Sequence, residues 1–193
     1  MRPLREGVVY YDGMLSPIGE IWMAGSEKGL LKIDLLTSEE QFLADLRKIT
    51  SSKPIRDARR FTKIEGLLEE YFRGNKVIFD IPLDLNGTEF QKDVWRAIYK
   101  VPFGRLSSYG RIAEEIGRPK AVRAVGNAVG ANPLPIVIPC HRIIRADGGL
   151  GGYGGGIDLK LYLLSIEGII EMGHGWSKSR AKSILKTSDN LSF

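Results

Sequence analysis

Three β-rich runs, Val8–Tyr11, Ile18–Ala24 and Leu30–Leu35, crowd into the first third of the chain, separated by Gly and Ser/Pro turns. From Thr88 onward, apolar residues recur mainly at helical spacing. This segregation constrains the fold more than any other feature. It implies two separately packed units, strands with helices first and a mainly helical unit second. In the first unit Ser38 and Gln41 have capping-box spacing and open a helix to about Lys48. A second helix is expected from near Ala58 to Phe72, stopped by Gly74-Asn75. Val77–Ile81 reads as a short strand broken by Pro82. The boundary is placed between Pro82 and Gly87. The expected organisation is an N-terminal α/β domain over 1–82 (a small sheet with two helices), a helical winged-helix-like domain over 83–175, and a basic tail over 176–193.

In the second unit Thr88 and Gln91 repeat the capping-box spacing, and Phe90, Val94, Trp95 and Ile98 form an apolar stripe. Pro102-Phe103-Gly104 ends that helix. Ser107/Ser108 then cap a short helix, Tyr109–Ile116. After a Gly117-Arg118-Pro119 turn, Pro119 suits the first position of a helix from Lys120 to about Ala131. Two short helices joined by a Gly-containing turn make a helix-turn-helix pattern. The second is rich in small residues: Ala121, Ala124, Gly126, Ala128, Gly130 and Ala131. Its long side chains are Lys120, Arg123 and Asn127, whereas a major-groove reader usually presents long polar side chains to base edges. Two readings stand: the small residues pack on a neighbouring helix, or they permit close backbone approach to a partner.

The chain has 193 residues, 43% hydrophobic and 26% charged, which excludes a collagen, a disulfide scaffold and a mostly disordered chain. No apolar stretch approaches the roughly 18 residues of a membrane span, so no membrane partner is expected. The first six residues carry charges and no apolar run, so a signal peptide is not expected and a cytoplasmic location is. Cys140 is the single cysteine, and with His141 and His174 it makes only three soft ligands. A closed Cys/His zinc site needs four, so that site is excluded unless a carboxylate completes it, and no metal is expected; no other cofactor is expected either. Residues 90–145 hold ten Lys/Arg against three Asp/Glu. That basic segment fits a polyanion binder or a solvated face.

The chemistry concentrates around Asn132-Pro133-Leu134-Pro135-Ile136-Val137-Ile138-Pro139-Cys140-His141-Arg142. Ile136–Ile138 reads as a buried strand whose ladder Pro139 ends, with Cys140 fixed at its tip. A cysteine is nucleophilic only as thiolate, and its ordinary pKa of about 8.5 asks for a neighbouring base or cation. His141 is adjacent, but strand neighbours point to opposite faces, so it serves Cys140 only if the chain turns or a water bridges them. The other reading is a buried structural cysteine. Seven glycines then fall within Gly148–Gly156 around Tyr153. They lack a phosphate loop's Lys-Ser/Thr ending and fit either a linker or the wall of a flat-ligand site. Glu167 lies at the C-terminal end of the following helix, where a carboxylate opposes the helix dipole. It suits a side chain kept to orient a histidine, or a solvated one.

Ile138-Pro139-Cys140-His141-Arg142, preceded by Asn132-Pro133 and followed by Gly152-Tyr153-Gly154-Gly155 and Glu167-Gly168, resembles the O6-alkylguanine-DNA alkyltransferases. The resemblance covers about residues 88–172 and includes Ser108-Tyr109 and Arg123-Ala124-Val125-Gly126. It implies transfer of an alkyl group from guanine O6 in double-stranded DNA to Cys140, once per molecule, by a monomer. It gives His141 the role of base through a water, Glu167 that of orienting His141, Asn132 that of holding the turn, and Tyr109 that of donor to guanine N3. Tyr153, Gly154, Val129 and Pro135 would line the alkylguanine pocket. Arg123 would fill the stack left by a flipped base. Ala124, Gly126, Asn127, Ser108 and Lys120 would meet DNA in the minor groove, about 6 Å wide. Some relatives have Ser where this chain has Gly154, and relatives with an N-terminal zinc site use cysteines absent here. Three other functions stay open: a non-catalytic lesion-binding protein, for which Cys140 would be superfluous; a helix-turn-helix regulator; and a cysteine hydrolase, which would turn over many times.

Overall fold

The computed structural model describes residues 7–171 and 175–188. The six N-terminal residues read for targeting signals, His174 and the last five residues of the tail lie outside them. The chain divides between Asn86 and Gly87 into two compact units.

The first unit is a small mixed sheet with two helices. Strands β1 (Tyr10–Ser16), β2 (Gly19–Ser26) and β3 (Gly29–Leu35) form an antiparallel meander, and β4 (Ile55–Arg56) adds to β1 in parallel, giving the order β3-β2-β1-β4. Gly13 faces Trp22 across β1 and β2, where a Cβ would come within 2.6 Å of the indole. The indole thus folds over bare backbone and stacks on Phe42 of α1 (Glu39–Leu46), with centroids 6.2 Å apart. Val9, Tyr11, Ala24, Leu31 and Leu46 complete this core. Ser38 caps α1 by accepting from Gln41 N, but the Gln41 side chain turns forward to Asp45, so only half of the capping box forms.

Two expectations are corrected in this unit, and one element is added. The helix from Ala58 is a 3-10 turn, Ala58–Arg60, then α2, Thr62–Phe72, broken where Phe61 turns into the core. Val77–Ile81 is not a strand. Its apolar pattern serves one anchor, buried Phe79 against Tyr71, and the bridge to the sheet forms at Leu83. The short β4 was not foreseen, because both its side chains are exposed and give no apolar alternation.

The second unit is helical. Thr88 and Gln91 form a complete reciprocal capping box on α3 (Glu89–Tyr99). The Trp95 indole on this helix donates to Ala128 O at 2.8 Å. The two-residue strand β5 (Ser107–Ser108) leads into α4 (Tyr109–Glu115), which Ser108 caps, and α5 (Val122–Gly130) completes the helix-turn-helix. Pro119 does not open α5. It sits second in a turn closed by Ala121 N donating to Arg118 O, the turn position that favours proline, and the helix starts three residues later.

Ile136–Ile138 is likewise not a strand. Pro133 and Pro135 lack ladder donors, and Asn132 bonds the chain back on itself, so residues 132–138 turn. Buried Ile136 takes φ 72°, a conformation that strains a β-branched residue. Cys140 therefore opens a 3-10 turn, Cys140–Arg142, rather than ending a strand. The strand β6 (Ile143–Ile144) follows and pairs in parallel with β5. Helix α6 spans Ile157–Ile166 with Glu167 as its C-cap. The tail forms α7 (Lys178–Ser188), whose Ala181, Ile184 and Leu185 pack with Trp176 onto Leu106, Ile144, Leu164, Ile169 and Ile170.

Candidate active site

The turn from Asn132 to Cys140 is tied at both ends by one side chain. Asn132 Oδ1 accepts from Leu134 N at 3.0 Å, and its Nδ2 donates to Ile138 O at 2.8 Å. The same Nδ2 donates to the Cys140 sulfur at 3.1 Å. Cys140 is 6% exposed. Burial pushes its thiol pKa up, while the Asn132 amide and the charge of Lys160 pull it down. At rest the group is therefore a thiol, and a base must take its proton before it can attack.

His141 is buried beside it on the same 3-10 turn, and its Nε2 pairs with Glu167 Oε1 at 2.7 Å. Burial lowers the imidazole pKa against the raising effect of Glu167. The ring is neutral near pH 7, so Nε2 carries the proton toward the carboxylate and Nδ1 is the basic nitrogen. Burial alone would raise the Glu167 pKa, but His141 and Arg142 overcome it and hold the carboxyl at about 2. Arg142 donates to both carboxylate oxygens, from Nε at 2.9 and 3.1 Å and from Nη2 at 2.9 Å, and Gly104 N adds a bond at 3.0 Å. Arg142 Nη1 donates to Val101 O at 2.5 Å.

The glycine loop closes the other side. Tyr153 is half-buried, with its hydroxyl buried beside the Cys140 thiol, and that burial raises its pKa well above the usual value. Gly151, at φ 69°, lies against Tyr109: a Cβ there would come within 2.5 Å of the Tyr109 hydroxyl. Tyr109 and the thiol interact electrostatically. Cys140, His141, Asn132, Tyr109, Tyr153 and Glu167 thus gather into one site.

Arg123, Ala124 and Asn127 line the exposed face of α5, Lys120 is exposed just before it, and Gly126 is half-buried. A Cβ at Gly126 would meet only the Tyr109 ring, at 3.9 Å, and at Gly130 nothing within 4 Å. The packing reading of the small residues therefore holds for buried Ala128 but not for these glycines, which nothing in the fold requires. Val129 is buried in α5, Pro135 is half-buried in the turn, and Gly154 is exposed with open space at its Cα. Among the described residues no three His, Cys, Asp or Glu side chains are placed to hold a metal ion.

Two buried side chains that tie the site together were not among the expected site residues. One is Arg142, read only as a cation following the Cys-His pair. The other is Lys160, fully buried on α6, whose Nζ donates to Ile143 O at 2.7 Å and to Leu150 O at 2.6 Å. It joins β6 to the glycine loop, and burial lowers its pKa to about 8. A lysine set among Leu159, Leu161, Leu163 and Leu164 was the signal that could have found it.

Both units of the chain are similar to known proteins. The family model described as 6-O-methylguanine DNA methyltransferase, DNA binding domain, matches residues 89–169, and that of the ribonuclease-like domain matches residues 9–85. A methylated-DNA–protein-cysteine methyltransferase of Methanosarcina barkeri is 45% identical over 159 residues, covering 82% of this chain and 97% of that protein. One of the same name from Haemophilus influenzae is 37% identical over 92% of this chain and 97% of its own length. The crystal structure of Mycobacterium tuberculosis OGT in complex with DNA is 39% identical with a TM-score of 0.72, covering 93% of this chain and 99% of that one. With both units matched in order and nearly the whole length of these relatives covered, the chain belongs to the 6-O-methylguanine DNA methyltransferase family.

Proposed function

We propose that this chain repairs O6-alkylguanine in duplex DNA by moving the alkyl group to Cys140, once per molecule. The observation that carries the reading is the coupling around the thiol. Asn132 fixes the sulfur while Glu167 fixes the adjacent imidazole with Nδ1 as its base. Adjacent side chains on a 3-10 turn need not contact each other directly; a water between Nδ1 and Sγ relays the proton. Sγ then attacks the alkyl carbon in line. The S–C bond forms, the C–O6 bond breaks and its electron pair stays on O6. The Tyr109 hydroxyl donates a hydrogen bond to N3 of the departing guanine, whose negative charge balances the proton that has passed from Cys140 to His141. Donors aimed at the leaving base stabilise the charge that develops on it. The product is a thioether that water does not readily cleave, so the chain is consumed.

O6 of a stacked base lies out of reach of a buried thiol, so the nucleotide must flip into the pocket beside Tyr153. Arg123, exposed on α5, is the side chain assigned to fill the vacated stack. Ala124, Gly126 and the outer face of α5 suit backbone approach in a narrow groove, where readout is degenerate and sequence is ignored. Lys120, Asn127 and Ser108 flank that face.

The test is intact mass and peptide mapping after mixing the protein with excess duplex holding one O6-methylguanine. One methyl group on Cys140, reaching one equivalent and stopping, is the expected result. An unchanged mass with the duplex still bound would replace this reading with lesion binding. Continued turnover would replace it with hydrolysis.

A further inference from the structure

Helix α7 lies beyond the matched DNA-binding domain, which ends at residue 169. Its inner face is committed to the core through Ala181, Ile184 and Leu185. Its exposed residues include Lys178, Lys182 and Lys186, spaced i, i+4 and i+8 on one stripe, with Arg180 on the opposite flank beside Glu171. No acidic residue occurs within the helix. The stripe does not float. Gly148 takes φ 82°, and a Cβ there would come within 2.5 Å of Lys178 O and 3.2 Å of Lys182 Cγ. Trp176 Nε1 donates to Gly148 O at 2.8 Å. The first turns of α7 are thus seated on the 145–149 turn, which opens the glycine loop of the active site. Arg145 on that turn pairs with Asp147 at 3.6 Å. The Asp147 carboxyl is held below its usual range first by the Gly149 N–H, then by the charges of Arg145, Lys178 and Lys182. The one carboxylate of the 145–149 turn is therefore outnumbered by cations. The same helix packs on β5, whose Ser108 caps the first helix of the helix-turn-helix.

We infer that the Lys178–Lys182–Lys186 stripe, with Arg145, is a second contact surface for duplex DNA, tracking the phosphate backbone next to the active-site loop. The inference rests on the DNA-repair reading above and extends it to a segment that reading does not use. The geometry matches the partner. Eight residues of helix span about 12 Å, which is about three base-pair steps at 3.4 Å of duplex axis, so three lysines one turn apart can each meet a phosphate of one strand. The contacts would be sequence-independent, as a repair protein requires, since phosphate contacts position a protein without reading bases.

The test is the salt dependence of affinity for a short duplex, with and without one O6-methylguanine, measured by fluorescence anisotropy. The wild type is compared with a Lys178→Ala/Lys182→Ala/Lys186→Ala variant and with Arg180→Ala. Each lost phosphate contact lowers the slope of log K against log salt by about 0.9, so the triple variant is expected to lose about 2 to 3 in slope. Arg180→Ala should leave the slope unchanged. Methyl transfer from free O6-methylguanine base should stay at the wild-type rate in both variants, which shows the site intact. A triple-variant slope equal to wild type overturns the inference, as does an equal loss in Arg180→Ala. A wild-type chain that takes the methyl group from free base but shows no salt-dependent affinity for duplex overturns the DNA reading itself, and the stripe with it.

Discussion

Replacing Glu167 by Gln changes one atom and removes one charge, in a position surrounded by hydrogen-bond donors. The carboxylate accepts from His141 Nε2, Arg142 Nε, Arg142 Nη2 and Gly104 N. The amide NH2 of Gln must therefore face donors whichever way it turns. The Arg142 side chain is only 8% exposed, and its guanidinium would be left as a buried charge without its counter-ion. Breaking a buried pair in this way costs about 3–5 kcal/mol. With a urea dependence of about 2 kcal/mol per molar, the unfolding midpoint of the C-terminal unit should fall by roughly 2 M at pH 7. The chemistry should fail in parallel. With the NH2 at the Oε1 position, His141 avoids an NH2-to-NH contact by accepting at Nε2 and carrying its proton on Nδ1, which removes the basic nitrogen; with the NH2 at Oε2, it meets Gly104 N and Arg142 Nε instead. Urea unfolding and single-turnover methyl transfer test the two effects together. Glu171→Gln, at an exposed carboxylate, serves as control and should shift stability by no more than about 0.5 kcal/mol. A loss below about 1 kcal/mol with transfer at the wild-type rate would refute the reasoning, because it would mean that neither Arg142 nor the imidazole depends on the carboxylate charge.

Acid should destabilise the protein in two stages. His141 has a folded pKa below its unfolded 6.5, so its contribution is complete above that value and declines as pH falls below it. Glu167, depressed from 4.5 to about 2, loses its contribution between those values. A thermal-melt series from pH 8 to 3 checks this, and flat stability from pH 7 to 5 would contradict the neutral buried imidazole. Gly151→Ala should cost about 1–3 kcal/mol and slow transfer, because it strains a left-handed residue and displaces Tyr109, whereas Gly152→Ala, with open space at its Cα, should be nearly silent. Lys160→Met should take the Nζ donor from the carbonyls of buried Ile143 and half-buried Leu150, costing about 1–3 kcal/mol, and should slow iodoacetamide alkylation of Cys140 by removing the charge that favours the thiolate. Arg123→Ala should weaken repair in duplex DNA more than transfer from the free base, and equal losses on both substrates would refute its assignment to the stack.

The sequence by itself determined the features whose cause is local. Capping at Ser38, Thr88 and Ser108 fixes where three helices start, because the bond between cap and helix N–H spans only three residues. The Pro-Cys-His-Arg segment, the glycine loop and Glu167-Gly168 were legible as motifs for the same reason. What only the tertiary structure decided are the properties set by residues distant in sequence. Ile136–Ile138 has a strand's composition, yet a single side chain, Asn132, and two prolines turn it, and the chain passes from there into the 3-10 turn that holds Cys140 and His141. Glu167 stands against the dipole of α6, and its reason is Arg142 and His141, some 25 residues earlier. Lys160 shows its role only where α6 sets its Nζ between the carbonyls of Ile143 in β6 and Leu150 in the glycine loop. The basic tail could be an arm or a helix. Its apolar residues settle into a helix only because Leu106, Ile144 and Leu164 offer a surface to bury them, a gain no local segment supplies alone.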